Sequence, residues 1–515
     1  MNQSQKNSTF NRRDLLKSLS SATVAAPIFG LAATSSSCSA RVGYATPNPR
    51  NLKEDNVNPP VKPPVPPPPQ DPVSDSLDIS NGKWIQPGYL TIVQGPTSDT
   101  ETHINLLVPK LKNYILEVTD GETRVYPTAE PTRVIGPAHS HVMKLKIIGL
   151  QPNIRYSLQV FERKIAKDGT VSKGLKIDQR NFSTLDMTMR TPRFALVSCM
   201  ADEFRFDSII PTMWKKLESQ NVDFLILTGD IVYVDSKESV ERKVATEFDI
   251  WQRYIDAMKK IPLYHWINLK PILATWDDHD FGTNDGDRDF IGKDPAKKLF
   301  HALFFGTDMT GVWEMGPGGT TAVYNGFGQR FFMMDDRTFR QPNEKAKTEQ
   351  EPYGQWGIDQ HNWLIAKLSE SNAPAWIING NQTFRGAPEE VYFVESMQYN
   401  HPLQLEQLKK DLRKIAAPVV FGSGDVHLSE VMNIYPIEFG YQTYEFTSSS
   451  MHSFLGGSPW KNERRLNGMM CSEFNFMTFR SQALEVDGRP GLRIEAQCMG
   501  AARANYFDAT FEVVR

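Results

Sequence analysis

Cysteine is scarce: four in 515 residues. A chain of this length with so few cannot be a disulfide-dense scaffold, so any core must come from apolar packing. Charge of one sign is also lacking. The formal net charge is −3 and no basic block interrupts the sequence, which excludes the electrostatic footprint of a dedicated nucleic-acid surface. Long apolar runs are missing too. The longest candidate, between Lys17 and Ala33, is broken by Ser and Thr and is short for a membrane span. No internal repeat is visible. Aromatics, by contrast, make up 11% of the chain, which fits an ordered globular protein with sizeable cores.

The first segment reads as an address. Arg12-Arg13 precede Asp14-Leu15-Leu16-Lys17 and a weakly apolar stretch that ends in small residues. That order of regions is a bacterial export signal, and the paired arginines resemble the twin-arginine type, which carries folded proteins. Cleavage after Ala40 is the plain reading. Cys38, followed by a Pro-rich tether, leaves lipidation open, and only in that case is a membrane a partner. We therefore expect a signal over 1–40 and a semi-rigid linker over 41–75, with Pro63-Pro64 and Pro66–Pro69 in runs. The expected location is periplasmic, secreted or in the cell envelope, with the export machinery as a partner and a monomer as the resting state. Cys471 and Cys498 are left open to pairing.

From 76 to 187 the texture is all-β. Leu90-Thr91-Ile92-Val93, Ile115-Leu116-Glu117-Val118 and Tyr156–Phe161 are short strands separated by turn signals, which predicts a sandwich. The stretch Gly149-Leu150-Gln151-Pro152-Asn153 with Tyr156 resembles a fibronectin type III module. From 190 to 515 strands alternate with segments of helical spacing, at Ser208–Gln220, Ser239–Lys260, Ile358–Ser369 and Leu403–Ile415. The fold class predicted is α/β, layered, with a β-sandwich in front of an αββα domain.

Five apolar runs of the second half end in residues that bind metal or phosphate. Phe194–Val197 leads to Cys199, and Phe224–Leu227 to Gly229-Asp230 with Tyr233. Pro271–Thr275 leads to Asp277-Asp278-His279-Asp280, Ala375–Ile378 to Asn379-Gly380-Asn381, and Pro418–Phe421 to Gly424-Asp425-Val426-His427. Ligands collect beyond the carboxyl ends of α/β strands, so these donors converge on one cleft. Each alone has a plainer reading: Gly-Asp as a turn, Cys199 as a small buried hydrophobe, the acidic run as a solvated loop. Three carboxylates and an imidazole in four residues nevertheless repel unless a cation or solvent intervenes. Asp425 and His427, two apart in extended chain, face one side. Thiolate, phenolate and imidazole together suit a trivalent iron or zinc; an all-oxygen neighbour suits calcium, magnesium or manganese. Arg337 is a candidate phosphate clamp or a salt-bridge partner of nearby Asp residues. Asn381 is a candidate substrate or metal contact, against a turn role.

As an ordered set these motifs resemble those of the alkaline phosphatase D family, a branch of the calcineurin-like metallophosphoesterases. The resemblance extends over everything after the linker. It implies a ferric iron held by Cys199, Asp230, Tyr233 and His427, with Asp230 bridging to a calcium completed by Asp425 and by Asp278 or Asn284. Related phosphatases have Gly-Asn-His-Glu at 277–280 and Gly-His-x-His at 424–427. The carboxylates standing here favour calcium at the second position.

The function expected is an exported hydrolase of phosphate monoesters or diesters, working by in-line attack of a metal-bound hydroxide at a binuclear or trinuclear Fe3+/Ca2+ site. Zn2+, Mn2+ or Mg2+ are substitutes. Asp230 and His279 are the expected catalytic residues, His279 as general acid to the leaving oxygen. The rivals are an envelope phospholipase D-like hydrolase, for which no amphipathic membrane stretch is evident, and a non-catalytic surface module braced by metal.

Overall fold

The computed structural model describes residues 90–108, 114–121, 124–125, 131–137, 140–385, 395–455 and 461–515. The expected signal, the linker and Cys38 lie outside these residues.

Eight strands come first: β1 (Thr91–Thr97), β2 (Glu101–Val108), β3 (Tyr114–Thr119), β4 (Arg124–Val125), β5 (Thr132–Ile135), β6 (His141–Ile148), β7 (Arg155–Ile165) and β8 (Val171–Ser183). They form two four-stranded antiparallel sheets, ordered β1-β2-β6-β5 and β4-β3-β7-β8. Ile92, Ile104, Leu106 and Met143 from the first sheet share a core with Leu116, Val118, Leu158 and Val160 from the second. In β7 the buried residues alternate with half-exposed ones from Tyr156 to Val160, as expected when one face meets water. β1 is buried on both faces. The alternate residues Val93, Leu107 and Val142 belong to the core of the following α/β part. There the amide of Asn105 donates to Leu303 O (2.9 Å) and Tyr324 OH donates to Thr97 O (2.8 Å). The first sheet is therefore a shared wall, and all described residues fall in one compact unit.

The strands that follow are β9 (Arg193–Val197), β10 (Phe224–Thr228), β11 (Ile272–Thr275), β12 (Trp313–Met315), β13 (Ala322–Gly326), β14 (Gln329–Met333) and β15 (Ala375–Ile378). Then come β16 (Val419–Ser423), β17 (Ser429–Ile434), β18 (Thr443–Thr447), β19 (Arg465–Cys471), β20 (Asn475–Val486), β21 (Arg489–Gly500) and β22 (Phe507–Val514). They build a six-stranded sheet, β11-β10-β9-β20-β21-β22, and an eight-stranded sheet, β12-β13-β14-β15-β16-β18-β17-β19. Strands β9, β10 and β11 run parallel, as do β14, β15, β16 and β18. The two sheets meet through aromatic rings: Phe194 of β9 contacts Phe331 and Trp376 edge-to-face at 5.5 and 5.1 Å.

Parallel neighbours need crossovers, and helices supply them. Helix α1 (Ile209–Glu218) links β9 to β10 and buries Ile210, Met213, Trp214 and Leu217, a single face by spacing. Helix α2 (Glu247–Lys260) lies between β10 and β11. The continuous helix expected over 239–260 is interrupted. Thr246 accepts from Asp249 N–H while Asp249 accepts from Thr246 N–H (2.9 Å), a capping box that starts a new helix there. Helix α3 (Asp278–Phe281) is one turn at the end of β11, and α4 (Lys293–Phe304) was not foreseen. Helices α5 (Gly357–Ser369) and α6 (Pro402–Leu412) match the expected crossovers to β15 and β16.

Candidate metal centre

The carboxyl ends of β9, β10, β15 and β16 are stitched edge to edge. Met200 N–H donates to Asp230 O (2.8 Å), Asn379 N–H to Gly422 O (2.9 Å), and Gly424 N–H to Gly380 O (2.8 Å). Gly229 N–H reaches Thr275 O at the end of β11 (3.0 Å). The approach requires glycine at 229: its φ is +80°, and a Cβ there would stand 2.4 Å from Asp277 Cβ. Cys199, Asp230, Asp425 and His427 adopt φ of 56°, 54°, 64° and 56°. Left-handed backbone at a non-glycine residue costs about 1–3 kcal/mol and gathers at functional sites. Four such residues facing one another mean that the fold spends conformational energy to aim these side chains inward.

Two donor sets result, and both contain Asp230. In one, Cys199, Asp230 and His427 bring ligand atoms within 4.8 Å of one another; in the other, Asp230, Asp278 and His279 do so. The first is dense. Cys199 Sγ lies 3.3 Å from Asp230 Oδ2, and Tyr233 OH lies 3.2 Å from the same oxygen and 3.3 Å from His427 Nε2. Asp425 joins through its carbonyl, 3.6 Å from Cys199 Sγ, and through the field of its carboxylate on Asp230 and Cys199. A third group, Asp278, Asp285 and Glu395, flanks the oxygen side.

Burial, then the charge of Asp230, pushes the Cys199 thiol well up. Burial and the neighbouring Asp278, Asp280 and Asp425 carboxylates push Asp230 well up, against the pull of His279. Burial, Asp230 and Cys199 do the same to the Tyr233 phenol. Asp230 Oδ1 is buried and has no hydrogen-bond partner among the described residues. A cation among these donors would reverse each electrostatic penalty and engage that oxygen, so the residues fit a metal. The mixed S, O and N set suits a softer or trivalent ion, and the carboxylate set a hard one.

His279 is held beside the donors. Its Nδ1 lies 2.9 Å from Asp235 Oδ1, and its ring stacks on Tyr233 at 4.2 Å between centroids. Burial disfavours its charge, but Asp235, Asp278 and Asp230 together outweigh burial and hold the imidazole protonated well above its ordinary range. The acidic run of 277–280 divides its labour. Asp277 and Asp280 close a capping box around α3, leaving Asp278 and His279 for the centre.

Three further candidates have surroundings of their own, and Arg337 reaches Asp278 Oδ1 at 4.0 Å. Asn284 sits half-buried in the turn after α3, and Asp278 joins a donor set with Asp230 and His279. Arg337 is completely buried rather than open to a phosphate: Nε donates to Asp277 Oδ1 (2.5 Å) and Nη2 to Glu395 Oε2 (2.7 Å). Asn381 is likewise buried, its backbone N–H bonded to Asp336 Oδ2 (2.8 Å). Several neighbours escaped the sequence reading. Asp235 stands five residues after Asp230 with no local signal of its partner. Ser449, which donates to Cys199 Sγ (3.0 Å), and Ser453, 2.8 Å from Tyr233 OH, follow a sixth strand end, that of β18. The apolar run in β18 is cut by Glu445, which hid the strand; that carboxylate is buried and accepts from the N–H groups of Thr383 and Phe384.

Two packed mixed sheets thus carry candidate metal donors at the carboxyl ends of their strands. Residues 313–484 match the sequence model of the family PhoD-like phosphatase. A solved structure titled "Structure of PhoD" shares the fold with a TM-score of 0.57, covering 82% of this chain and 91% of that one at 15% identity. Together they bear out the resemblance to the alkaline phosphatase D family. A cyclomaltodextrinase aligns over 64% of this chain and 58% of its own at 8% identity, with a TM-score of 0.13 that carries no argument. No curated protein sequence matches the chain. The matched sequence segment includes Asp425 and His427 but not Cys199, Asp230, Tyr233 or Asp278, whose grouping is seen in the fold.

Proposed function

We propose that the chain is an exported, metal-dependent phosphoesterase acting on phosphate monoesters or diesters, with ferric iron on the Cys199 side and calcium on the carboxylate side. The observation that carries this reading is the sharing of Asp230 by two donor sets of different character. Cys199, Tyr233 and His427 would hold the first ion, Asp278 and Asp425 the second, and Asp230 would bridge. Such ions supply Lewis acidity and lower the pKa of a water near the substrate.

The chain's own residues do the rest. Asp235 fixes His279 through Nδ1, so Nε2 is the nitrogen free to hand a proton to the departing oxygen. Asp235 lies outside the proposed ligand set, so it still favours the protonated ring when cations occupy Asp230 and Asp278. Tyr233 stacks against the ring with the two planes 30° apart and helps to hold its orientation. The acidic surroundings of Asp230 exclude a free anion until cations neutralise them.

Export rests on the Arg12-Arg13 signal, which also supports a periplasmic or secreted location. Among the described residues no helix is long and apolar enough to cross a membrane. Lipidation of Cys38 is one route by which the chain would attach to a membrane. Asp230→Asn should abolish hydrolysis of a chromogenic phosphodiester by metal-loaded protein, and unchanged turnover would rule out the bridging role. Elemental analysis of protein purified after export tests the iron and calcium assignment.

A further inference from the structure

The metal donors leave one reactive pair unused. Cys471 closes β19, the edge strand of the larger sheet, and Cys498 lies on β21 of the smaller sheet. Far apart in sequence, they meet around one side chain. Cys498 Sγ lies 3.5 Å from Asn475 Oδ1. Asn475 Nδ2 donates to Glu473 O (2.8 Å), and Cys471 Sγ approaches the same carbonyl at 4.0 Å. In the β17–β19 register Cys471 stands opposite Ser429, whose hydroxyl also donates to Asn475 Oδ1. Burial and then the neighbouring Cys471 push the Cys498 thiol above its usual range, while Cys498 holds Cys471 below it.

The pair is wired to the metal side. Asn475 Nδ2 donates to Ser449 O (2.8 Å), and Ser449 N–H donates to Ser429 Oγ (3.1 Å). The Ser449 hydroxyl contacts Cys199 Sγ (3.0 Å) and accepts from His427 N–H (3.0 Å). Ser449 thus touches two metal donors while standing on the Asn475–Ser429 platform that the thiols flank.

We propose that Cys471 and Cys498 are a disulfide site that cross-links the two sheets and braces the Ser449 platform beneath Cys199 and His427. The bracing half rests on the proposed metal centre; the cross-link does not. With a small-molecule disulfide such as oxidised glutathione as oxidant, the Cys471 thiolate attacks one sulfur and releases one glutathione thiol. Cys498 then attacks the mixed disulfide and releases the second. Two protein thiols lose two electrons and two protons, and two glutathione thiols are formed. Cys471 is the entry point, being 3% exposed while Cys498 is completely buried.

The test uses the full chain recovered after export, alkylated under denaturing conditions without reductant, digested and analysed by mass spectrometry. A Cys471–Cys498 peptide two hydrogens lighter than the dithiol, with Cys199 alkylated, is the expected result. Alkylation of both Cys471 and Cys498, or a bridge from either to another cysteine, overturns the proposal. The second arm measures iron and zinc retained during incubation with a chelator. Reduced wild type, Cys471→Ser and Cys498→Ser should lose metal faster, on the order of 10-fold, as when a neighbour of a metal ligand is disturbed. Equal rates overturn the bracing while the cross-link stands. A bridged protein that binds metal but hydrolyses no phosphate ester would remove the proposed function and leave this inference intact.

Discussion

Replacing Arg337 by methionine separates two readings of a residue that sequence could not decide. The guanidinium is buried and makes charge-assisted bonds to Asp277 (2.5 Å) and to both oxygens of Glu395 (3.1 and 2.7 Å), besides a bond to Gly286 O (3.3 Å). Methionine fills similar space but strips Asp277 of its guanidinium and leaves Glu395 with Arg340 (2.7 Å) and Asn343 (2.9 Å) alone. Breaking a buried ion pair from one side costs about 3–5 kcal/mol. With an effective loss at the low end, the folded-to-unfolded ratio falls by about two powers of ten. The assay is urea denaturation of Arg337→Met, Glu395→Gln and the double variant, alongside KM for a chromogenic phosphate ester. The double variant should be less destabilised than the two losses added, because removing both partners leaves less uncompensated charge. Wild-type stability in Arg337→Met together with a large rise in KM would refute the buried ion pair and restore the phosphate clamp.

Tyr233→Phe keeps the ring on His279 but removes the phenol oxygen near Asp230 and His427. If the ion there is ferric, its visible absorption band should shift or vanish, and a colourless metal-replete wild type would exclude ferric iron on Tyr233 and Cys199. In His279→Asn, hydrolysis of esters with poor leaving groups should fall much more than that of nitrophenyl esters, by about 100-fold or more; an equal fall would deny it the acid role. Asp411 has a carboxyl lowered to about 2: burial opposes this, but bonds from Lys414, Gln407 and His361 prevail. A depressed carboxyl contributes stability that is present above its unfolded pKa and lost as pH falls through the folded one. Asp411→Ala should therefore lose stability at neutral pH and converge with wild type between about pH 4 and pH 2; a constant difference across that window would contradict the assignment.

Legibility in this chain followed chemical locality. Cys199, Asp230, Asp278, Asp425 and His427 could be picked out because each follows a short apolar strand, and strand ends in such folds are where ligands gather. The same rule missed Ser449, because buried Glu445 disguises β18 as a polar segment. Helix α4 escaped because Gly292 stands at its N-cap and offers no capping side chain, and the break before α2 escaped because a capping box depends on two side chains rather than on periodicity.

The amino-acid order by itself thus determined the alternation of strands and helices, the all-β texture of the first part and the donor types at the strand ends. All are set by residues within a few positions of each other. Only the tertiary structure decided that β1 is buried on both faces, that Asp235 belongs to His279, that Arg337 belongs to Glu395, and that Cys471 meets Cys498. Those facts depend on which distant surfaces exclude water together, and burial of a charge or thiol has no local signature until its partner has been brought to it.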